Sequence, residues 1–212
     1  MKQRGYRAVA SRSLVARYVQ SSILLSLVSH WLFQSLLYMD RTERRFKLAL
    51  NVLLTALFVQ MAGPTLAHLV LGLLLAHTLN FIFNGQINAV LKNFGYSRTT
   101  LEDLMVFLQA FGERASREPS IRYAAAFGSL SRGELSDTSD VDIRVIRRAG
   151  LGHALRSCTF VLLERSRALF TGVPLDIYVL DSDVGLSRIR ADEPAHILKQ
   201  TAPDDGGAGN EQ

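Results

Sequence analysis

Cysteine is almost absent from this chain of 212 residues, which contains only Cys158. An intrachain disulfide and a metal site built from several cysteines are therefore both excluded. Cys158 lies among apolar residues, where we expect an inert thiol in the core. Acidic residues are fewer than basic ones, 19 against 24, and the resulting net charge of +5 favours an anionic partner such as a membrane surface, a nucleotide or a nucleic acid.

Charged residues are missing altogether from Leu48 to Leu91. Two apolar runs, 48–62 and 65–83, lie inside this window and are separated by Gly63-Pro64. A helix that spans a bilayer needs about 20 mostly apolar residues. The second run meets this length, and the first does so if Phe46 and Lys47 extend it by snorkelling. The pattern predicts a two-helix transmembrane hairpin over 46–84. Two buried helices of a soluble domain are the alternative, but such helices should carry charge on their outer faces.

Basic residues flank the predicted hairpin on both sides, while the loop inside it has no charge. The positive-inside tendency therefore predicts that both ends of the hairpin, and the domain that follows, are cytoplasmic at the cell membrane. Residues 1–45 form a basic N-terminus with an uncharged stretch at 18–39. The polar residues of that stretch recur at helical spacing, which favours an amphipathic helix lying in the membrane interface over a third span.

Helix and strand patterns alternate in the second half of the chain. Thr99 and Glu102 form a T-x-x-E capping box, which predicts a helix from about Thr100 to Ser116 inside a connecting region over 85–120. Apolar alternation and turn signals then predict further elements: strands at 121–127, 141–146, 175–180 and 195–199, a long helix at 152–170 and a short one near 182–190. Residues 201–212 are predicted to be a disordered tail.

Three aspartates lie at the starts of two of these predicted strands. Asp140 and Asp142 flank a single apolar residue, so they share one face of their strand and can converge on a cation. Asp176 opens a later strand, and the three acids meet at one end of the sheet if the two strands are neighbours. Buried charge of one sign is costly without compensation, so this arrangement favours divalent metal ions over a purely structural role.

A second feature precedes the aspartates. The strand at 121–127 ends in Gly128-Ser129, where glycine permits a tight turn and close approach of the backbone to a ligand. Ser129 and its amide could hold a phosphate oxygen, and Arg132, one turn further on, could neutralise the same anion.

The combination of Gly128-Ser129, ten intervening residues, Asp140-Val141-Asp142 and a later Asp176 resembles the signature of the DNA polymerase β superfamily of nucleotidyltransferases, and in size its minimal members. The resemblance covers 121–180. It implies an α+β fold, with a small mixed β-sheet over 121–200 and helices on one face, here preceded by an all-helical membrane-anchoring region. It also implies that the three aspartates bind two Mg²⁺ ions, that Asp176 activates the attacking hydroxyl, and that Gly128, Ser129 and Arg132 contact the phosphates of a nucleoside triphosphate such as ATP.

The resulting hypothesis is a membrane-anchored nucleotidyltransferase. It transfers a nucleoside monophosphate to a hydroxyl or phosphate of a lipid-linked or membrane-protein acceptor and releases pyrophosphate. The alternative is an antitoxin-type or regulatory module that modifies or binds a partner protein. A glycosyltransferase, which also uses D-x-D, would need a longer nucleotide-binding domain before the motif. Nucleic acid is not favoured as a partner because no basic, aromatic groove follows the motif. Whether the chain forms a homodimer stays open.

Overall fold

The computed structural model describes residues 22–36, 38–84, 87–92, 94–96, 99–134, 136, 139–188 and 194–201. The basic residues before position 22 and the predicted tail from 202 onward lie outside this range. The elements are, in chain order, α1 (Ile23–Phe33), α2 (Arg41–Ala62), α3 (Leu66–Asn84), α4 (Ile87–Lys92), α5 (Leu101–Arg117), β1 (Ile121–Phe127), β2 (Val141–Arg147), α6 (Leu151–Thr171), β3 (Leu175–Leu180), a 3₁₀ helix (Asp183–Arg188) and β4 (His196–Gln200).

Helices α2 and α3 form a hairpin, and both are long and apolar enough to cross a membrane. Their leucines face outward: Leu53, Leu57 and Leu73 are 55%, 48% and 51% exposed. A core helix of a soluble protein would bury such residues. The two helices approach closely at Gly72, where a Cβ atom would lie 2.7 Å from Cδ1 of Phe58. Small residues at such a crossing are typical of helix pairs in membranes.

Helix α1 is shorter than the predicted stretch of 18–39. It has 11 residues and ends at Phe33, and the backbone of its C-cap, Gln34, is left-handed. Its polar side packs on α3, where Trp31 Nε1 donates to Thr78 Oγ1 at 3.2 Å and Gln34 Nε2 donates to the His77 carbonyl at 2.9 Å. Leu24 and other apolar residues of α1 are exposed. At 1.5 Å per residue the helix is about 16 Å long, too short to cross a bilayer.

Lys47 does not snorkel to the membrane surface, contrary to the expectation from the sequence. Its side chain is 2% exposed. The ammonium donates to the carbonyls of Gln34 and Asn84 at 2.9 and 3.1 Å, which lie at the C-terminal ends of α1 and α3. Helix C-termini attract cations because their last carbonyls lack helical partners. Lys47 therefore ties three helices together and is not a surface extension of the hairpin. Helix α2 also begins at Arg41, earlier than the predicted start at 46.

The second half of the chain is α+β, with one mixed four-stranded sheet in the order β3-β2-β1-β4. Strands β2 and β3 are parallel because α6 crosses between them, and the other pairs are antiparallel. Helices α5 and α6 pack on the face that carries Ile143 and Ile177, and they form the core with it. The four strands lie within one residue of their predicted positions.

The capping box of α5 lies one residue later than predicted. Thr100, not Thr99, is the N-cap, and its Oγ1 accepts from the Asp103 amide at 3.2 Å. Asp103 returns the bond by accepting from the Thr100 amide at 2.9 Å, so aspartate replaces the expected Glu102. Thr99 Oγ1 instead donates to the carbonyl of Gly172 at 2.8 Å. This tertiary contact with Gly172 thus holds the Thr99 hydroxyl outside the cap of α5.

Strand β3 is an edge strand. The N-terminal end of α2 around Asp40 and Glu43, which we call the foot of the hairpin, covers its free side. The carboxylate of Glu43 accepts from the Val179 amide at 2.7 Å, and Asp40 accepts from the Asp181 amide at 3.0 Å. Arg165 donates to the Ile177 carbonyl and pairs with Glu43 at 2.6 Å. Free edges promote association with other chains, so these contacts protect the sheet as well as fixing the hairpin to it.

Candidate functional site

Two of the three aspartates face each other across the parallel pair of strands. Asp142 in β2 is the register partner of Asp176 in β3. Neighbouring strands lie about 4.8 Å apart, so two acids in register on one face are close neighbours. Asp140 precedes β2 by one residue. The structure therefore places Asp142 and Asp176 side by side, with Asp140 just before the start of the same strand as Asp142.

The electrostatics of Asp142 reflect this crowding. Burial raises the pKa of Asp142 well above its ordinary value, and the neighbouring charges of Asp176 and Asp140 raise it further. Arg144 opposes the shift in part. Like charges that share a site disfavour ionisation unless a cation separates them. A carboxyl perturbed in this way, inside a cluster of acids, is typical of functional sites.

The turn after β1 lies beside the acids, because Phe127 is the register partner of Asp142. Gly128 has a φ of +77°, a left-handed conformation that favours glycine. Ser129 Oγ is buried and has no hydrogen-bond partner among the described residues. Buried hydroxyls are normally satisfied, so an orphaned one in the turn that follows the register partner of Asp142 points to a ligand oxygen.

Two cations, which the sequence reasoning did not single out, hold the outer two aspartates. Lys92 Nζ lies 3.1 Å from Asp140, and Arg144 lies 3.4 Å from Asp176. Arg144 also donates to the Asp176 carbonyl at 3.0 Å and stacks on the ring of Tyr178, 4.9 Å from its centroid. The two-residue spacing from Asp142 places Arg144 on the same strand face and could have revealed it. Lys92 has no local signal, because its contact depends on how α4 packs.

Arg132 stands apart from this arrangement. Its side chain is 45% exposed and pairs with Glu134 at 3.0 Å. Its contact with a phosphate therefore stays a prediction of the resemblance alone.

Carboxylate oxygens are the ligands that Mg²⁺ prefers, so the donor set of Asp140, Asp142 and Asp176 suits that ion, and the orphaned Ser129 hydroxyl suits a phosphate beside it. Within the described part of the chain, no group of three or more His, Cys, Asp or Glu side chains is arranged to hold a metal ion. Lys92 and Arg144 meanwhile hold two of the three carboxylates. Metal binding thus stays an inference from the donors.

A cavity of about 350 Å³ lies on the outer side of α6. Leu155, Phe160 and Leu163 line it, together with Glu118 and Arg156, which bond to each other at 2.6 Å. Its charged groups already satisfy each other. The aspartate cluster is therefore the better candidate for chemistry.

Comparison of the chain with protein-family models, curated proteins and solved structures finds no match. The resemblance to nucleotidyltransferases accordingly rests on the motif residues between 121 and 180. Function has to be argued from the site itself.

Proposed function

We propose that this chain is a membrane-anchored, Mg²⁺-dependent nucleotidyltransferase. One observation carries the proposal: Asp142 and Asp176 pair in register beside the Gly128 turn, where the buried Ser129 hydroxyl has no hydrogen-bond partner among the described residues. Three acids supply the donors for divalent ions, and the turn supplies donors for a phosphate. Metal-assisted phosphoryl transfer uses both kinds of group, and here they lie at one end of the sheet.

In the proposed reaction, a hydroxyl oxygen of the acceptor forms a bond to the α-phosphorus of a nucleoside triphosphate. The bond from that phosphorus to the bridging oxygen of the β-phosphate breaks, pyrophosphate leaves, and the hydroxyl proton passes to Asp176 or to water. Asp140, Asp142 and Asp176 would hold Mg²⁺, which when bound stabilises charge on the entering and leaving oxygens. The Ser129 hydroxyl and the backbone at Gly128 orient the phosphates, and Arg144 fixes Asp176 on its strand.

The position of the site near the foot of the hairpin supports a membrane-associated acceptor. Ile82, in the last turn of α3, and Leu175, next to Asp176, line the same small cavity. Phe170 of α6 is 78% exposed and contacts Phe83 of α3 at 6.3 Å between ring centroids. Exposed phenylalanines beside the end of a membrane helix suit the boundary between headgroups and acyl chains. An acceptor held in the bilayer would reach the site by lateral diffusion, which raises its effective concentration.

The direct test is transfer of label from α-³²P nucleoside triphosphates in membranes that contain the full chain. We expect one of the four nucleotides to label a lipid or membrane protein in a Mg²⁺-dependent way. Asp142→Asn should reduce labelling by at least about 100-fold, the scale expected when a group that stabilises charge in the transition state is lost. Asp183→Asn is the matched control, because Asp183 is an exposed acid paired with Arg122. Equal labelling by wild type and Asp142→Asn would contradict the proposal.

A second candidate, a module that binds a partner protein, is favoured by the exposed leucines of α6. Leu155 and Leu163 line the 350 Å³ groove and are 60% and 48% exposed. This candidate predicts one stoichiometric partner after purification in detergent, and loss of that partner in Leu155→Glu. A partner retained by Leu155→Glu would argue against this groove. Asp142→Asn should leave such binding unchanged.

A further inference from the structure

Lys92 belongs to helix α4, which follows the hairpin directly, yet its ammonium lies in the aspartate cluster. The side chain is only 7% exposed, whereas Asp140 is 49% exposed. Lys92 therefore contacts the carboxylate from the protein side, and the other side of Asp140 stays open to solvent. A solvated surface lysine would not be held in this way.

The position of Lys92 is fixed by the packing of α4. Asn88 Nδ2, one turn earlier, donates to the carbonyls of Ala168 and Leu169 at 2.7 and 3.3 Å, near the C-terminal end of α6. The last carbonyls of a helix lack backbone partners within it, so the amide supplies hydrogen bonds that they would otherwise lack or receive only weakly, as at Ala168, where the Thr171 hydroxyl donates at 3.4 Å. Helix α4 is thereby anchored to the sheet domain, and Lys92 is carried to Asp140.

We propose that Lys92 is an internal counter-ion of the site, which competes with the divalent cation for Asp140 and so sets the metal affinity of the nucleotide-free protein. The inference rests on the proposed function, because it takes Asp140 as a metal ligand. Ammonium and metal ion cannot both neutralise the same carboxylate without repelling each other. When no substrate is bound, Lys92 neutralises Asp140 and so reduces the repulsion among the carboxylates. Tight metal binding then depends on the nucleotide, which arrives with a divalent ion of its own.

The test is Mn²⁺ binding to the full chain in detergent, without nucleotide, followed by the loss of the free-ion signal in electron paramagnetic resonance. Lys92→Met should tighten Mn²⁺ binding by about five-fold, equivalent to about 1 kcal/mol. Lys92→Arg keeps the charge and should bind within about two-fold of wild type. Asn88→Ala, which only loosens the anchor of α4, should shift the affinity in the same direction as Lys92→Met but by less. Arg156→Gln removes a cation from a remote pair with Glu118 and should change nothing.

A double-mutant cycle locates the effect. If Lys92 acts through Asp140, Lys92→Met should have no effect on Mn²⁺ binding in an Asp140→Asn background. Thermal unfolding of each variant checks that it folds, and Lys92→Gln replaces Lys92→Met if the latter does not.

The outcomes separate this inference from the proposed function. Mn²⁺ binding that is lost in Asp142→Asn but unchanged or weakened in Lys92→Met overturns the role of Lys92 and leaves the metal site standing. Binding that Asp140→Asn and Asp142→Asn leave intact, or no binding by either wild type or Lys92→Met, overturns both. Tighter binding by Lys92→Met that disappears in the Asp140→Asn background supports both.

Discussion

At the scale of single residues, Glu164 and Asp142 are two acids whose surroundings have opposite consequences. Glu164 is fully buried and receives two hydrogen bonds of 2.7 Å from Arg114 and one of 2.6 Å from Arg167. Asp142 is instead surrounded by other acids, and its pKa is raised. Glu164 stabilises the contact between α5 and α6, whereas Asp142 costs stability in the absence of a ligand. Residues that function requires commonly carry such a cost.

Asp142→Asn should therefore raise the stability of the substrate-free protein. A carboxyl whose pKa is higher in the folded than in the unfolded state costs stability that grows as pH rises from the unfolded pKa to the folded one. The amide keeps the shape and removes the repulsion from Asp176 and Asp140. We expect the Tm in detergent to rise by about 2–4 °C, which corresponds to about 1 kcal/mol in a chain of this size. A lower Tm would mean that Asp142 has a structural role.

Glu164→Gln should have the opposite effect. The amide cannot accept the paired hydrogen bonds from Arg114 as a carboxylate does, and it has no charge to balance either arginine. We expect the free energy of unfolding to fall by about 1.5–3 kcal/mol, measured by denaturant titration in detergent. Glu113→Gln, which replaces an exposed acid on the same helix as Arg114, serves as the control and should change stability little. An unchanged midpoint for Glu164→Gln would show that the buried pair contributes nothing.

At the scale of elements, the hairpin depends on a close contact between its two helices, and α5 depends on its cap. Gly72 gives α2 and α3 the space to approach, and Thr100 with Asp103 satisfies the first amides of α5. The strands were predictable within a residue because apolar alternation is a local property. The capping box was placed one residue early because Thr99 and Thr100 are equivalent in sequence. Only the contact of Thr99 with Gly172 distinguishes them.

Substitution of two helical glycines by alanine should give opposite signs. In Gly72→Ala the new methyl group would lie 2.7 Å from Phe58, so the helices must move apart and the Tm should fall. In Gly112→Ala no described atom lies within 4 Å of the new methyl group. That variant should gain up to about 1 kcal/mol, because alanine loses less backbone entropy in a helix than glycine. Thermal unfolding of both proteins in the same detergent gives the comparison, and a Tm for Gly72→Ala at or above wild type would contradict the tight crossing.

At the scale of the whole molecule, the hairpin and the sheet domain share buried polar contacts at their junction. Glu43 and Arg165 are each 2% exposed, and Asp181 accepts from the Thr42 amide at 3.2 Å and from Arg147 at 2.8 Å. Loss of one partner of a buried pair is costly because the other charge remains buried. The aspartate cluster is therefore held at a set distance from the apolar helices.

This junction should weaken in acid. Burial tends to raise the pKa of Asp181, but hydrogen bonds from Thr42 and Arg147 outweigh it, and the net shift is downward from 3.8. A lowered pKa gives stability that is present above the unfolded value and lost as pH falls through the folded one, so the loss occurs below about pH 4. Asp181→Asn should lower stability at pH 7 by less than about 1 kcal/mol, since the pair is partly solvated, and it should flatten the decline below pH 4. Asp183→Asn is the exposed control, and a decline in Asp181→Asn as steep as in wild type would contradict the assignment.

The proposed orientation can be tested by labelling with a maleimide that does not cross membranes. Cys158 is buried, so background labelling should be low. Thr65→Cys, in the turn between α2 and α3, should be labelled in intact cells, whereas Glu113→Cys should be labelled only after permeabilisation. Both positions are exposed in the structure, so accessibility differs only through the membrane. The reverse pattern would place the aspartate cluster outside the cell.

The sequence by itself determined the apolar hairpin and the four strands, because each follows from a local periodicity or a run of composition. Tertiary structure alone decided which groups neutralise the acids and what closes the edge of the sheet. Lys92 reaches Asp140 through the packing of α4, and Glu43 reaches Arg165 across 122 residues of chain. Such contacts depend on where whole elements lie relative to one another, which no local pattern of residues encodes.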